Sequence, residues 1–250
     1  MNTSPIIEVK DLTTGYGDVI IHENLDFTVQ RGEIFVVVGG SGCGKSTLLQ
    51  HLIGLLSPIT GEILIDSENL VDVQGKERVS LLRKFGVLFQ SGALFGSMTL
   101  AENIDLVLDE YTTLPRQTRD MLIRMKLSMV NLDGYENHLP SEVSGGMKKR
   151  AGLARAMALD PEILFFDEPS AGLDPVTSAE LDQLIIQLNQ SLGTTMVIVT
   201  HELDSVFAVA HRVIMLDKDS KGIIAEGTPQ ELKSNTTDKR VHAFFNREPQ

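Results

Sequence analysis

Cysteine is almost absent. Of 250 residues only Cys43 carries a thiol, so no disulfide can form within the chain, and this usage fits a reducing compartment. Positive charge is also short: 22 Lys and Arg face 34 Asp and Glu, for a formal net charge of -12. That balance argues against sequence-independent attraction to nucleic acid or to an anionic lipid surface. Long apolar runs are missing as well. No stretch approaches the roughly 18 to 20 residues that span a bilayer, and Met1 to Pro5 lack a basic segment leading into an apolar one. The expectation is a protein that stays where it is made and meets a membrane only through a partner. No internal repeat or low-complexity tract is apparent. The 42% hydrophobic and 22% charged content is ordinary for a soluble globular protein, and the length allows one α/β domain with an inserted subdomain.

The pattern at the start is strand-like. Leu25, Phe27 and Val29 alternate with Asp26 and Thr28, and Gly15 to Asp18 form a turn that exposes Tyr16, so an antiparallel sheet is expected over Ile6 to Val29. Ile34 to Val38 form a buried strand, and a helix over Ser46 to Leu56 stops near Pro58. A strand over Gly61 to Asp66, a short helix over Val79 to Lys84 and a strand over Gly86 to Phe89 follow. Residues 91–158 change character. Thr99 and Glu102 have capping-box spacing ahead of Leu100, Ile104, Leu106 and Leu108, a second helix occupies Arg116 to Val130, and a third begins after Gly146. Strands at Ile163 to Phe166, Met196 to Val199 and Val213 to Leu216 alternate with a helix over Thr177 to Leu192. That helix carries a second capping-box spacing at Thr177 and Glu180, an apolar face of Leu181, Leu184, Ile185, Leu188 and Leu192, and Gly193 as its stop. A parallel sheet covered by helices is predicted. The division is a core over 1–90 and 159–232, a helical insertion over 91–158, and a polar tail over 233–250 anchored only by Val241, Phe244 and Phe245.

Chemistry concentrates first in Gly39-Gly40-Ser41-Gly42-Cys43-Gly44-Lys45-Ser46, between a buried strand and a helix that begins with Thr47. The glycines let backbone N–H groups turn toward a polyphosphate, the helix start presents its positive end, Lys45 reaches the terminal phosphates, and Ser46 offers a hydroxyl to magnesium. Cys43 is read as a small side chain in that loop, not as a redox sensor. Asp167 and Glu168 stand at the carboxyl end of a core strand, the edge where open α/β sheets bind ligands. Asp167 suits the metal, and Glu168 suits orienting and deprotonating a water that attacks the γ-phosphate. Gln90 and His201 each follow a strand at that edge; an amide can sense metal or water, and an imidazole can donate to phosphate. The other histidines, among them His22 and His51, receive no role. Val143 to Arg150 supplies a second glycine-containing helix start, with Ser144, Gly145 and Gly146. Two phosphate-facing devices in one chain suggest two chains sharing two sites.

In this order the motifs make the chain resemble the ATPase subunit of an ABC transporter over nearly its whole length. Gly39 to Ser46 match the Walker A loop, Gln90 the Q-loop, Val143 to Met147 the signature, Ile163 to Asp167 the Walker B strand, Glu168 the catalytic acid, Ser170 to Asp174 the D-loop, and His201 the switch histidine. Tyr16 matches the aromatic that stacks on adenine. The resemblance implies a P-loop NTPase fold, with a RecA-like parallel-sheet core, an N-terminal antiparallel β subdomain and an inserted α-helical subdomain. It implies ATP and Mg2+, the metal held through Ser46, Gln90 and Asp167, and a head-to-tail dimer in which Ser144, Gly145 and Gly146 of a second copy complete each site. It also implies integral permease subunits, docked near Gln90 against Leu94, Phe95 and Met98. The signature departs from the family pattern, with Met147 for glutamine and Val143 for leucine. With Phe89 to Phe95 and Leu139 to Glu142, Met147 is similar to the ATPases of Mla and other Mce-associated phospholipid transporters. That implies a place on the cytoplasmic face of an inner membrane and an Mce-type partner reached through the permease, with no nucleic acid. An importer for another cargo such as amino acids, or a soluble ABC ATPase outside transport, is the alternative.

Overall fold

The computed structural model describes residues 4–234 and 237–248. Three residues of the Met1 to Pro5 reading, and positions 235, 236, 249 and 250 of the polar tail, lie outside the described residues. β1 (Ile7–Tyr16) and β2 (Val19–Val29) pair antiparallel, Ile7 opposite Val29 and Tyr16 opposite Val19. β3 (Ile34–Gly39) leads through the glycine-rich loop into α1 (Lys45–Leu52). β4 (Thr60–Ile65) pairs antiparallel with β1, and β5 (Glu68–Asn69) closes a four-stranded sheet in the order β2-β1-β4-β5. Next come α2 (Gly75–Leu82) and β6 (Phe85–Leu88), then three helices, α3 (Leu100–Tyr111), α4 (Arg116–Met129) and α5 (Gly145–Ala156). The chain continues with β7 (Ile163–Asp167), α6 (Pro175–Leu192), β8 (Thr195–Val199), α7 (Leu203–Val209), β9 (Arg212–Asp217), β10 (Gly222–Gly227), α8 (Pro229–Ser234) and α9 (Lys239–Asn246).

The second sheet runs β10-β9-β3-β8-β7-β6, parallel throughout except for β10. Its central strands β3 and β8 are buried throughout because both faces are covered. In β3, Ile34, Val36 and Val38 enter one core together with Leu181, Ile185 and Leu188 of α6, whereas Phe35 and Val37 enter the other with Leu48 and Leu52 of α1 and with Leu25 and Phe27 of β2. The same two-residue alternation sends Leu164 and Phe166 of β7 one way and Ile163 and Phe165 the other. Each buried side chain of this size contributes about 1.5–3 kcal/mol relative to exposure. The central strands are therefore rigid enough to carry a site at their carboxyl ends.

Several boundaries differ from the sequence reading. α1 ends at Leu52, short of Leu56, and α2 starts four residues before Val79. The capping box at Thr99 and Glu102 is formed: Thr99 Oγ1 accepts from Glu102 N at 3.1 Å and Glu102 Oε2 accepts from Thr99 N at 2.7 Å. The one read at Thr177 and Glu180 is not. Asp174 caps α6, accepting from Val176 N and Thr177 N, both at 3.1 Å, while the Thr177 hydroxyl donates to Asp174 and Glu180 pairs with Arg150. Asp174 followed by Pro175 at the first helical position was the signal. Leu106 is exposed because it lies two residues from Ile104, on the opposite face of α3. Leu192 ends α6 at the surface, and Gly193 stops the helix at φ 66°. β10 escaped notice because a half-buried edge strand between glycines has little alternation. The polar tail contains α9, anchored by buried Val241 and Phe245.

Candidate nucleotide site

β3 delivers Gly39 to the carboxyl edge of the parallel sheet. Its φ of 153° and the space it occupies both require glycine, since a Cβ there would lie 2.5 Å from Cys43 Sγ and Leu216 O. Lys45 folds back over the loop, Nζ donating to Gly39 O at 2.9 Å and Gly40 O at 3.2 Å. Cys43 donates its amide to Gly40 O at 3.3 Å and turns its thiol into the core, where burial pushes the thiol pKa up. That placement agrees with a small packing side chain and not with a reactive one.

β7 brings Asp167 to the same edge, and Ser46 Oγ donates to Asp167 Oδ1 at 3.1 Å. Burial pushes the Asp167 carboxyl up; the Ser46 hydrogen bond opposes this, and the neighbouring Glu168 charge adds to it. Glu168 follows at φ 47°, a left-handed conformation that costs a non-glycine residue about 1 kcal/mol. Both sides of this residue are held: its N–H donates to Val199 O at 2.8 Å, and its carbonyl accepts from Lys149 Nζ at 3.3 Å. Lys149 is itself buried, which lowers its amine pKa against the pull of Glu202, Glu168 and Asp167. The Glu168 carboxylate then faces His201, whose Nδ1 lies 2.9 Å from Oε1; Oε2 is buried with no hydrogen-bond partner among the described residues. A carboxylate at this edge of the sheet is a candidate general base toward water.

Lys45, Ser46, Glu168 and His201 border one cavity of about 660 Å³, while Cys43 and Asp167 lie outside its lining. Gly39, Gly40, Ser41, Gly42, Gly44, Lys45, Ser46 and Thr47 form one wall, and Gln90, Glu168 and His201 face it. Ile21 of β2, which the sequence did not mark, and Phe244 of α9, which the sequence marked only as an anchor of the tail, also line it. Tyr16 stands outside the lining, half exposed. Its hydroxyl donates to Gln50 Oε1 at 2.8 Å and lies 3.4 Å from Thr47 Oγ1, so the ring is moored to α1 beside the loop. A smaller hollow of about 340 Å³, bordered by Arg31, Asp160, Glu162 and Leu192, lies at the opposite edge of the sheet and has no amide cradle.

Ser144, Gly145 and Gly146 are not part of this cavity. Ser144 caps α5, accepting from Met147 N at 3.2 Å; Gly145 lies beside Leu173, and Gly146 is so close to Thr177 that a Cβ would collide with its methyl. α5 instead grips the segment after Gln90. Arg155 donates to Ala93 O at 2.6 Å and Gly92 O at 3.2 Å, and a Cβ on Gly152 would lie 2.9 Å from Gly92 O. α5 and the Gln90 loop are thus in direct contact.

Among the described residues no cluster of three or more His, Cys, Asp or Glu is placed to hold a metal. Ser46, Asp167 and Gln90 offer oxygen donors only, the set a hard cation uses when phosphate oxygens and water complete its shell. These residues fit magnesium. The sequence reading missed His22, which is fully buried beneath the loop with Nδ1 2.7 Å from Thr14 Oγ1 and Nε2 2.8 Å from Cys43 O. Nothing in the spacing around His22 marks it, because its partners come from β1 and from the loop.

Residues 22–171 match the family described as ABC transporter. Over 240 residues the chain is 42% identical to the probable ribonucleotide transport ATP-binding protein mkl of Mycobacterium tuberculosis, covering 96% of this chain and 66% of that protein. The chain thus spans about two thirds of the length of the mycobacterial relatives. It is 41% identical over 241 residues to the intermembrane phospholipid transport system ATP-binding protein MlaF of Escherichia coli, covering 96% of this chain and 88% of MlaF. Among solved structures, the ATP-binding cassette MJ0796, a dimer in a post-hydrolysis state bound to ADP and Pi, superposes with a TM-score of 0.79 at 31% identity, over 89% of this chain and 98% of that one.

Proposed function

The chain belongs to the ABC transporter ATP-binding family, and from that membership we propose that it is the ATP-hydrolysing subunit of a phospholipid transporter of the Mla type. It is an ATPase, binding ATP with Mg2+. The observation that carries the residue roles is the meeting of Lys45, Ser46 and the Glu168–His201 pair around one cavity, with Asp167 bonded to Ser46 behind that lining and Ser144 to Gly146 kept out of it. The loop amides and Lys45 bind the phosphates, Lys45 exchanging its Gly39 and Gly40 carbonyl partners for phosphate oxygens. Ser46, Asp167 and Gln90 would hold magnesium, which when bound neutralises phosphate charge. The Glu168 carboxylate accepts the proton of the attacking water, and His201, oriented by Glu168 Oε1, sits beside the terminal phosphate. Tyr16, moored on α1, receives the adenine ring.

Each site is one half of a shared one. Ser144, Gly145 and Gly146 of a second copy close over the phosphates held by Gly39 to Thr47, as the dimeric MJ0796 supports. Closure carries α5, and Arg155 passes the shift to the loop after Gln90. There Phe95, 52% exposed, with Leu94 and Met98 beside it, meets the permease subunits. The described residues contain no helix long and apolar enough to cross a membrane. By its likeness to MlaF, we assign the protein to the cytoplasmic face of the inner membrane, held there by its permease, with an Mce-type protein on the far side. Reconstituting the chain with its native membrane partners in vesicles of phosphatidylethanolamine and phosphatidylglycerol tests this. ATP-dependent movement of fluorescent phospholipid is expected; movement of ribonucleotide or amino acid with no lipid movement overturns the cargo assignment.

A further inference from the structure

We infer that His22 is a positioning residue for the phosphate loop: its imidazole ties the Cys43 carbonyl to the antiparallel sheet and thereby aims the Gly44 amide into the nucleotide cavity. The inference rests on the reading of Gly39 to Ser46 as the phosphate site.

Both ring nitrogens are engaged. Because the Cys43 carbonyl can only accept, Nε2 carries the proton and donates to it at 2.8 Å. Nδ1 then accepts, and the Thr14 hydroxyl donates to it across 2.7 Å. His22 and Thr14 are both 0% exposed, so the ring is fixed from β1 on one side and reaches the loop on the other. Burial holds the His22 pKa below the ordinary histidine value, with the nearby His51 adding to that effect and the Cys43 hydrogen bond opposing it. The neutral ring keeps the Nδ1 lone pair that the Thr14 hydroxyl requires.

The consequence follows from peptide geometry. In a trans peptide the C=O of one residue and the N–H of the next point in opposite directions. With the Cys43 carbonyl held toward β2, the Gly44 N–H points away from β2, on the side where Gly42, Gly44 and Lys45 line the cavity. A flip of this peptide turns ψ of Cys43 and φ of Gly44, and Gly44, already at φ 93°, has no Cβ to resist it. The imidazole also occupies the place of a Gly44 side chain: a Cβ there would lie 2.5 Å from Cε1 and 2.6 Å from Nε2. Gly44 is thus required for close approach of the ring as well as for its backbone angle. β3 behind the loop, α1 ahead of it and the Lys45 bonds to the Gly39 and Gly40 carbonyls also hold it, but the His22 bond is the one made to the Cys43–Gly44 peptide.

A ring that merely fills the core would show a different response to substitution. His22→Gln places an amide N–H2 near the former Nε2 position, His22→Asn reaches only the Thr14 side, and His22→Leu fills space with neither bond. The full chain is assayed for ATP–Mg2+ affinity by calorimetry, for KM and kcat of phosphate release, and for melting of the ligand-free protein. His22→Leu and His22→Asn are expected to raise the ATP Kd and KM about tenfold, with kcat at saturation within about twofold, and His22→Gln to restore affinity to within about threefold. Equal ATP affinity in all three variants, or melting shifts of any size with unchanged KM, overturns the inference. Selective 15N NMR of wild-type histidines gives a measurement that needs no variant: one imidazole is expected in the Nε2–H form with its proton protected from exchange, more so after ADP–Mg2+ is added. A rapidly exchanging set of histidines also overturns it. Lys45→Ala separates the two levels: unchanged ATP binding in that variant removes the phosphate-loop reading itself, whereas loss of binding there with wild-type affinity in His22→Leu removes only the role of His22.

Discussion

Glu168 combines a left-handed backbone, a carboxylate with one partnered and one unpartnered oxygen, and a carbonyl held by a buried lysine. Replacing its carboxylate by an amide retains the shape and removes the base. Glu168→Gln is expected to bind ATP within a few-fold of wild type and to lower steady-state phosphate release by about 100-fold or more. Release near the wild-type rate would remove Glu168 from the proton transfer. Lys45→Ala acts on the ground state instead, because it deletes charge-assisted hydrogen bonds to phosphate; its ATP Kd is expected to rise by about 10- to 100-fold. Asp182 of α6 makes a pH prediction. It is 5% exposed, and burial raises its carboxyl to about 6, opposed by a hydrogen bond with Ser205 and assisted by Glu202 and Asp204. A raised acid favours the folded state below its unfolded value near 3.8, and that contribution is lost as pH rises through 6. The loss amounts to at most about 3 kcal/mol. Asp182→Asn is therefore expected to be more stable than wild type at pH 8 in urea unfolding, with the gap closing by pH 4; a gap independent of pH would count against this account.

Among the elements, α3 shows how a helix start places a docking loop. Thr99 and Glu102 satisfy each other's backbone donors, and four residues beyond the cap Asn103, 0% exposed, returns to the loop. Its amide donates to Phe95 O at 3.2 Å, Met98 O at 3.1 Å and Thr99 O at 2.9 Å, while Oδ1 accepts from Phe95 N at 2.7 Å. One buried amide thus fixes the exposed Phe95. Thr99→Ala is expected to cost about 1 kcal/mol in denaturant unfolding, the usual value of an N-cap, and to leave ATP hydrolysis by the free subunit unchanged. A stability unchanged within error would show that Glu102 or water replaces the cap. The Thr99 box was legible because both partners lie within one turn. The cap of α6 was misread because two candidate acceptors, Asp174 and Thr177, lie within four residues, and the signal that separates them, Pro175 at the first helical position, points to Asp174.

Across the whole molecule, Arg212 of β9 holds the two sheets together. Nε and Nη2 donate to the Glu33 carboxylate at 2.7 and 2.9 Å, Nη2 also to Thr28 O at 2.6 Å, Nη1 pairs with Glu226 of β10, and the guanidinium lies 4.9 Å from the Phe35 ring centroid. Arg212→Ala leaves the Glu33 carboxylate, 10% exposed at its side chain, without its counter-charge and with the Gln30 backbone amide as its remaining donor, and is expected to cost about 3 kcal/mol. A cost below about 1 kcal/mol in urea unfolding would place the weight of this junction on its apolar contacts. At the same scale, Glu168→Gln with ATP and Mg2+ is expected to move from monomer to dimer in light scattering, and Ser144→Arg, which blocks the partner's cavity, to prevent that shift. A dimer unaffected by Ser144→Arg would mean that the copies meet through another face.

Much of the chemistry was readable in the chain because phosphate binding is a local problem: eight consecutive residues supply the amides, the lysine and the hydroxyl. The acids, Gln90 and His201 were found because each ends an apolar run, and parallel strands must finish at one edge. What the sequence could not decide was everything made by residues distant in the chain. Thr14, His22 and Cys43 meet only when β1 and β2 lie under the loop, Lys149 meets Glu168 only when α5 packs behind β7, and Phe244 meets the cavity only after α9 folds back. Local spacing specifies which groups are present and which way a strand or helix turns them. Burial, pairing and the tautomer of His22 depend on long-range packing, and only the tertiary structure fixes them.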